Sequence, residues 1–287
     1  MKKVSKIAAI ALALVFVLVG CSNPNGGDGL PEIESISVSD IKKPGSYNPV
    51  SRQVVKTEAD AMQVYKNLNQ EFQNLMTAPA ADMGMTFGSD QKNKEEQNKL
   101  LQTMFLIGMK KQQEIEYDES CSLSFAPGFY EKTFGSYKNL YFNMTLREKF
   151  EKYANKITNV NVINMNCTVD IKDTHLMETS LRKSNEQLPP NLQKEIPDFK
   201  YIKAAKYGIK SNTSTTIVSE GGNQQQPIPN GNNEMKGALL FDDGTYNGIV
   251  EFDIKGDSEG TKNTAEIKAT FYDINGKNPH GPFTIRQ

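Results

Sequence analysis

The feature that most constrains this chain is a change of periodicity near Tyr117. Before it, apolar residues recur every three or four positions. After it they alternate, most cleanly where Ile163, Met165, Cys167, Val169 and Ile171 are interleaved with Asn164, Asn166, Thr168, Asp170 and Lys172. The first period belongs to helices lying on a core, the second to strands with one buried and one wet face. Helices followed by a run of strands argue for an α+β fold rather than a parallel α/β sheet. The expected architecture is an N-terminal two-helix hairpin packed on an antiparallel sheet of about seven to nine strands, ending in a C-terminal β-meander.

Thr57 with Asp60 three residues on has the form of an N-cap, and Ala61, Tyr65, Leu68, Phe72 and Leu75 follow on one face. A second helix is expected from Asn93 to Glu114, burying Leu101, Met104, Phe105 and Gly108 and exposing Lys94, Glu95, Glu96 and Lys99. Thr77 to Lys92, with Met83, Met85 and Phe87, is expected as a long connection, either an adaptable contact surface or a loop tucked beneath the helices. Further on, Leu123 and Phe125, Leu140 to Leu146, Phe199 to Ile209, Thr213 to Ser219 and Tyr246 to Ile254 read as strands. Arg147 to Asn155 is polar enough for a short helix. Asp243-Gly244 and Asn275-Gly276 are hairpin turns, and the uncharged stretch inside 220–234 reads as a low-complexity loop.

Composition narrows the function classes. The 287 residues carry 33 Lys+Arg against 34 Asp+Glu with 37% apolar residues, so a folded core is expected and a basic nucleic-acid-binding stripe is not. No nucleic-acid partner is expected. Residues 57–287 are read as a single α+β domain.

The amino end carries an address. Lys2, Lys3 and Lys6 precede an unbroken apolar run, Ile7 to Val19, of about 13 residues, short of the roughly 20 that span a bilayer. Residues 1–20 therefore read as a signal peptide. The run ends in Leu18-Val19-Gly20-Cys21, which closely resembles the lipobox of bacterial lipoproteins. What the resemblance implies is a diacylglycerol thioether on Cys21, cleavage between Gly20 and Cys21, and in many bacteria acylation, such as by palmitate, of the new amino terminus. Two or three acyl chains make a stable anchor. Ser22, in place of an acidic residue, implies outer-membrane delivery where the host has two membranes, and otherwise the outer face of the cell membrane. Residues 21–56, rich in Gly, Pro and Asn, are expected as a lipidated flexible tether. Cleavage removes three lysines, leaving 30 basic and 34 acidic side chains and a net charge of −4.

Candidate chemistry is sparse. Cys121 and Cys167 both fall in phase with apolar strand residues and form a candidate disulfide pair in an oxidising compartment; two buried free thiols are the alternative. Gly256-Asp257-Ser258-Glu259-Gly260 matches the nucleophile-elbow pattern, with Asp273 and His280 following in triad order. An elbow needs a strand, a tight turn and a helix, whereas this pentapeptide joins two alternating segments. Asp253, Asp257 and Glu259 lack the spacing of a calcium loop, and Asp170, Asp173 and His175 lack that of a zinc or catalytic metal site. Gly26-Gly27-Asp28-Gly29 is followed by no Lys-Ser/Thr pair, so no phosphate loop is expected. Trp is absent, and Tyr130, Tyr137 and Tyr141 are the aromatic cluster that could face a sugar. No cofactor or metal is expected.

The resulting expectation is a membrane-anchored envelope lipoprotein with a non-enzymatic binding or structural role, its partner an unidentified protein or a small apolar ligand. The alternative is a periplasmic lipid or lipoprotein carrier with an apolar cavity, similar in outline to the lipoprotein-carrier half-barrels, whose helices cover an apolar sheet. A Ser258-centred hydrolase is the third reading. Filled packing would bury both Phe72 and Phe105.

Overall fold

The computed structural model describes residues 32–87, 91–125, 128–190, 193, 195–259 and 262–286; within these, the side chains of 76–94, 96, 97, 100, 125, 258, 259, 262, 263 and 286 lie outside the description. Gly20 and Cys21, and with them all of the expected signal peptide, fall outside the described residues. The fold is α+β with the sheet dominant. Three helices, α1 (Glu58–Phe87), α2 (Gln91–Gln112) and α3 (Thr174–Glu186), accompany ten strands. The strands are β1 (Tyr117–Phe125), β2 (Tyr130–Lys132), β3 (Gly135–Glu151), β4 (Lys156–Ile171), β5 (Ile202–Glu220), β6 (Asn223–Gln224), β7 (Ile228–Asp242), β8 (Asn247–Glu259), β9 (Lys262–Tyr272) and β10 (His280–Arg286).

All ten strands form one antiparallel sheet in the order β1-β3-β4-β5-β7-β8-β9-β10, with β2 paired to β3 and β6 to β5. Each main strand therefore lies beside its neighbour in sequence. The two extra strands, three and two residues long, are too short to display a period, which is why the sequence implies fewer.

Cross-strand register separates two faces. On one, here the helix face, Ile171, Ala205, Leu239, Val250 and Phe271 form a row, with Tyr137, Val169, Tyr207 and Phe252 in the next. Ala61, Val64, Leu68 and Leu75 of α1 and Met177 and Leu181 of α3 complete this core. α1 starts at the capping box foreseen in the sequence: Thr57 Oγ1 accepts from the Asp60 amide at 3.2 Å, and the Asp60 carboxylate accepts from the Thr57 amide at 3.0 Å. Phe72 meets Phe252 edge to face at 5.3 Å. The Glu71 carboxylate, buried, accepts backbone N–H bonds from Lys200, Tyr201 and Ile202 at 2.7 to 2.9 Å. It fixes the entry to β5.

The opposite face is crossed by residues 32–56, expected as tether and found packed. Ile36, Val38, Ile41 and Tyr47 cover Ala204, Ala238, Leu240 and Ile249. Asp40 and Glu34 reach Lys206 at 3.0 and 3.7 Å, and Glu32 reaches Lys210 at 3.0 Å. A Cβ on Gly208 would stand 2.2 Å from the Ile33 side chain, so the missing side chain makes room for this strap. The strap then rounds the β7–β8 turn, where Tyr47 donates to Asp242 at 3.0 Å and Gln53 bridges to Tyr246, and enters α1 on the helix face.

Several local expectations change. α1 runs through Thr77–Phe87, so the long connection shrinks to residues 88–90, which lie outside the description. The helix continues through Pro79 and Gly84, both of which cost stability in a helix interior. Arg147 to Glu151 extends β3 rather than starting a helix, because it pairs with Val160 to Lys156 along the ladder. Helix α3 sits between strands, capped by Asp173, whose carboxylate accepts from the His175 and Leu176 amides. Within the stretch read as a low-complexity loop, Gly221 and Gly222 turn with φ of 59° and 85°, but residues 228–234 join β7 opposite Thr216 to Lys210.

Candidate functional site

The half of the helix face beyond the α1–α3 core is built by β1, β3, β4 and β5. Directly paired residues share a face. Cys121, Leu146, Asn161 and Thr215 form one row across these strands; Leu123, Met144, Ile163 and Thr213 form the next; Phe142, Met165 and Ser211 follow. Cys121, Leu123, Phe142, Met144, Ile163 and Met165 are buried as a second apolar cluster, packed by Met104 of α2.

Into this apolar surface β5 brings hydroxyls. Ser211 is 2% exposed, and among the described residues its Oγ has no hydrogen-bond partner; the buried Asn161 Oδ1 on β4 has none there either. Thr213 Oγ1 turns back to the Ile163 carbonyl at 3.4 Å. Burying a polar atom unpaired costs about 1 to 3 kcal/mol, so Ser211 and Asn161 are a polar break in an otherwise apolar surface. The sequence signal was present in Ser211-Asn212-Thr213-Ser214-Thr215-Thr216, a strand polar on both faces beside neighbours that are apolar on one.

A second concavity, a cleft of about 970 Å³, lies between α1, α3 and residues 195–201. Its polar lining is knitted together. Glu71 is taken by three amides, Asn67 donates to Asp243 at 2.9 Å, Gln70 to Asn74 at 3.2 Å, and Arg182 binds Glu178 and Asp198.

The candidate residues from the sequence are scattered. Cys121 and Cys167 are both free and buried. Cys121 lies in the row of Asn161, and Cys167 is six residues further along β4, about 20 Å away where a disulfide needs Cα atoms within roughly 7 Å. The pairing is excluded, and each thiol packs in a different cluster. Burial raises both thiol pKa values, that of Cys167 up to about 12.

Residues Gly256 to Glu259 lie inside β8, paired with β7 and β9, so these four form ladder rather than an elbow; Gly260 lies outside the described residues. The Ser258 side chain lies outside the description, but its backbone is at one end of β9, while Asp273 follows the other end and His280 pairs there with Phe271. From Thr264 to Tyr272 the strand runs about 26 Å, too far for a triad. Asp273 instead organises its own turn, accepting from the Asn275 and Lys277 amides. Asp253 and Asp257 lie on the strap face of β8, while the Glu259 side chain lies outside the description. Asp253, whose buried Oδ1 has no hydrogen-bond partner among the described residues, pairs in register with Lys236 and Lys268. Asp173 is spent as the α3 cap and His175 is exposed, while Asp170, its pKa raised by burial, faces Lys206 across the strands. Among the described residues no group of His, Cys, Asp and Glu could hold a metal ion. Tyr137 is fully buried on the helix face opposite Tyr130, whereas Tyr141 lies on the other face opposite Asn166, so the three do not make one platform.

Compared with models of protein families, with curated proteins and with solved structures, the chain matches none of them. Among the described residues no helix is long and apolar enough to cross a membrane.

Proposed function

We propose that this protein is a membrane-anchored envelope lipoprotein with a binding rather than a catalytic role, and that its ligand is a small apolar molecule with one polar group. The observation that carries the reading is the distal helix face: an apolar cluster holding the orphaned Ser211 Oγ and Asn161 Oδ1 beneath a helical cover. An acyl chain lying on Phe142, Met144, Ile163 and Met165, with its head group bonded to Ser211 or Asn161, matches that mixture. The lipobox supplies the address, with Cys21 as the lipidated residue and the two-helix cover as the expected lid over the sheet.

Titration of the detergent-purified protein with a fluorescent fatty acid tests the ligand. Ser211→Ala removes an unsatisfied buried hydroxyl, so it is expected to raise Tm while weakening the probe several-fold. Absence of any saturable acyl binding in the wild type, with no lipid in its organic extract beyond that bound to Cys21, would leave only a structural role. The anchor is tested separately by the mass of the Cys21 peptide: an unmodified cysteine in the membrane fraction rejects it.

A further inference from the structure

We infer that the sheet end formed by the α2 C-terminus and the β3–β4 turn is a bilayer-contacting surface, so that the domain is held against the membrane in a fixed orientation. On α2, Phe105 is 67% exposed, and Leu106 and Met109 beside it are exposed as well. A Cβ built on Gly108, on the same side, meets nothing within 4 Å. Ile115 is exposed just beyond the helix, and Tyr153, at the tip of the β3–β4 turn, is 99% exposed. The topology gathers these residues at one end. Tyr117 pairs with Phe150 and Lys110 ion-pairs with Glu119, so the last turn of α2, Ile115 and the Lys152 to Asn155 turn are neighbours.

Aliphatic and aromatic side chains flanked by Lys110, Lys111 and Lys152 have the make-up of a membrane interface, where rings and chains enter the headgroup region and lysines reach outward from it. The length of the leader gives the second argument, which rests on the lipidated Cys21 of the reading above. Glu32 is bound to Lys210 on β5, and about eleven residues separate it from Cys21, spanning at most roughly 40 Å. From Lys210 to Glu220, at the end in question, β5 runs about 33 Å. An extended leader thus reaches the bilayer when this end rests on it, and the anchor keeps the patch at high local lipid concentration. With a mature net charge of −4, long-range attraction to anionic lipid is absent, and the contact is apolar and insensitive to salt.

Because the chain contains no Trp, single reporters can be introduced at exposed positions. Phe105→Trp and Tyr153→Trp are placed in the full lipidated protein, reconstituted in phosphatidylcholine vesicles with and without brominated lipid; Val50→Trp, exposed at the opposite end, is the control. Emission from the first two is expected to fall by roughly half or more with brominated lipid, from the control by little, and adding Leu106→Asp to restore most of the signal. Quenching that is equal at all three sites, or absent at 105 and 153 in protein shown by mass to be anchored, overturns the inference and leaves the lipoprotein reading intact. A blue shift that depends on protein concentration but not on vesicles assigns the patch to a second copy and also overturns it. Quenching at 105 and 153 in protein whose Cys21 proves unmodified upholds the contact and removes the anchor instead.

Discussion

Helices α1 and α2 come from adjacent segments with similar apolar spacing, yet they meet the sheet in opposite ways. α1 crosses central strands, buries Ala61, Val64, Leu68 and Leu75, and seals its flank with the buried Glu71 carboxylate. α2 packs on the edge strand β1 through Met104, and among its described side chains none is buried. An amphipathic stripe records that a helix needs an apolar neighbour; it does not record whether the neighbour is a sheet centre, a sheet edge or a lipid. The contrast divides the molecule into a half closed by a buried helix and a half whose covering helix leaves Phe105, Leu106 and Met109 exposed.

The sharpest test of that division is Glu71→Ala. It strips three backbone amides of their acceptor, that of Ile202 buried and those of Lys200 and Tyr201 partly so, and a loss of about 2 to 4 kcal/mol is expected in denaturant unfolding. A loss below about 1 kcal/mol would mean that the β5 entry is not held by α1. Phe72→Ala comes next, at about 2 to 4 kcal/mol for a half-buried ring against Phe252, whereas Phe105→Ala should cost less than about 0.5 kcal/mol. Equal costs would break the comparison outright. Acid should then sharpen it. Asp60 at the start of α1 has its pKa lowered, first by the Lys56 amide and then by the Tyr246 hydroxyl, so its contribution is present above the unfolded value near 3.9 and is lost as pH falls through the folded one. Backbone chemical shifts of residues 57–62 should move in that range, and those of Leu101 to Ile107 in the middle of α2, a stretch with no acid, should not. The smallest effect concerns the thiols: Cys121 and Cys167 should ignore a thiol reagent at pH 8 in the native protein and both react once it is unfolded.

Much of the packed half could be read from the residues. The alternation from Ile163 to Ile171 gave β4 and its buried face, Thr57 and Asp60 gave the α1 cap, and Asp243-Gly244 and Asn275-Gly276 fell in turns. These are local signals, complete within a few residues. The strap was illegible because Ile33, Val38 and Tyr47 find their partners near Gly208, Glu251 and Asp242, about two hundred residues later. Phe105 was placed in the core because its spacing matches that of Phe72; only the position of β1 at the sheet edge distinguishes them. Parity correctly turned Cys121 and Cys167 inward but carried no information on how far apart along the strands they lie. Of the candidate binding surface, the apolar strands were visible and the orphaned Ser211 and Asn161 were not, since an unpartnered atom is a property of neighbours.

The strap also sets an order of assembly. A sheet in which every main strand joins its predecessor has cheap, local closures and can grow hairpin by hairpin as the chain is delivered. The bond between Tyr47 and Asp242 closes a span of 195 residues, which costs about 2.6 kcal/mol more in chain entropy than closing a ten-residue hairpin. It can form only after β7 exists. The amino-terminal strap is therefore locked late, against strands that the chain supplies about two hundred residues after it.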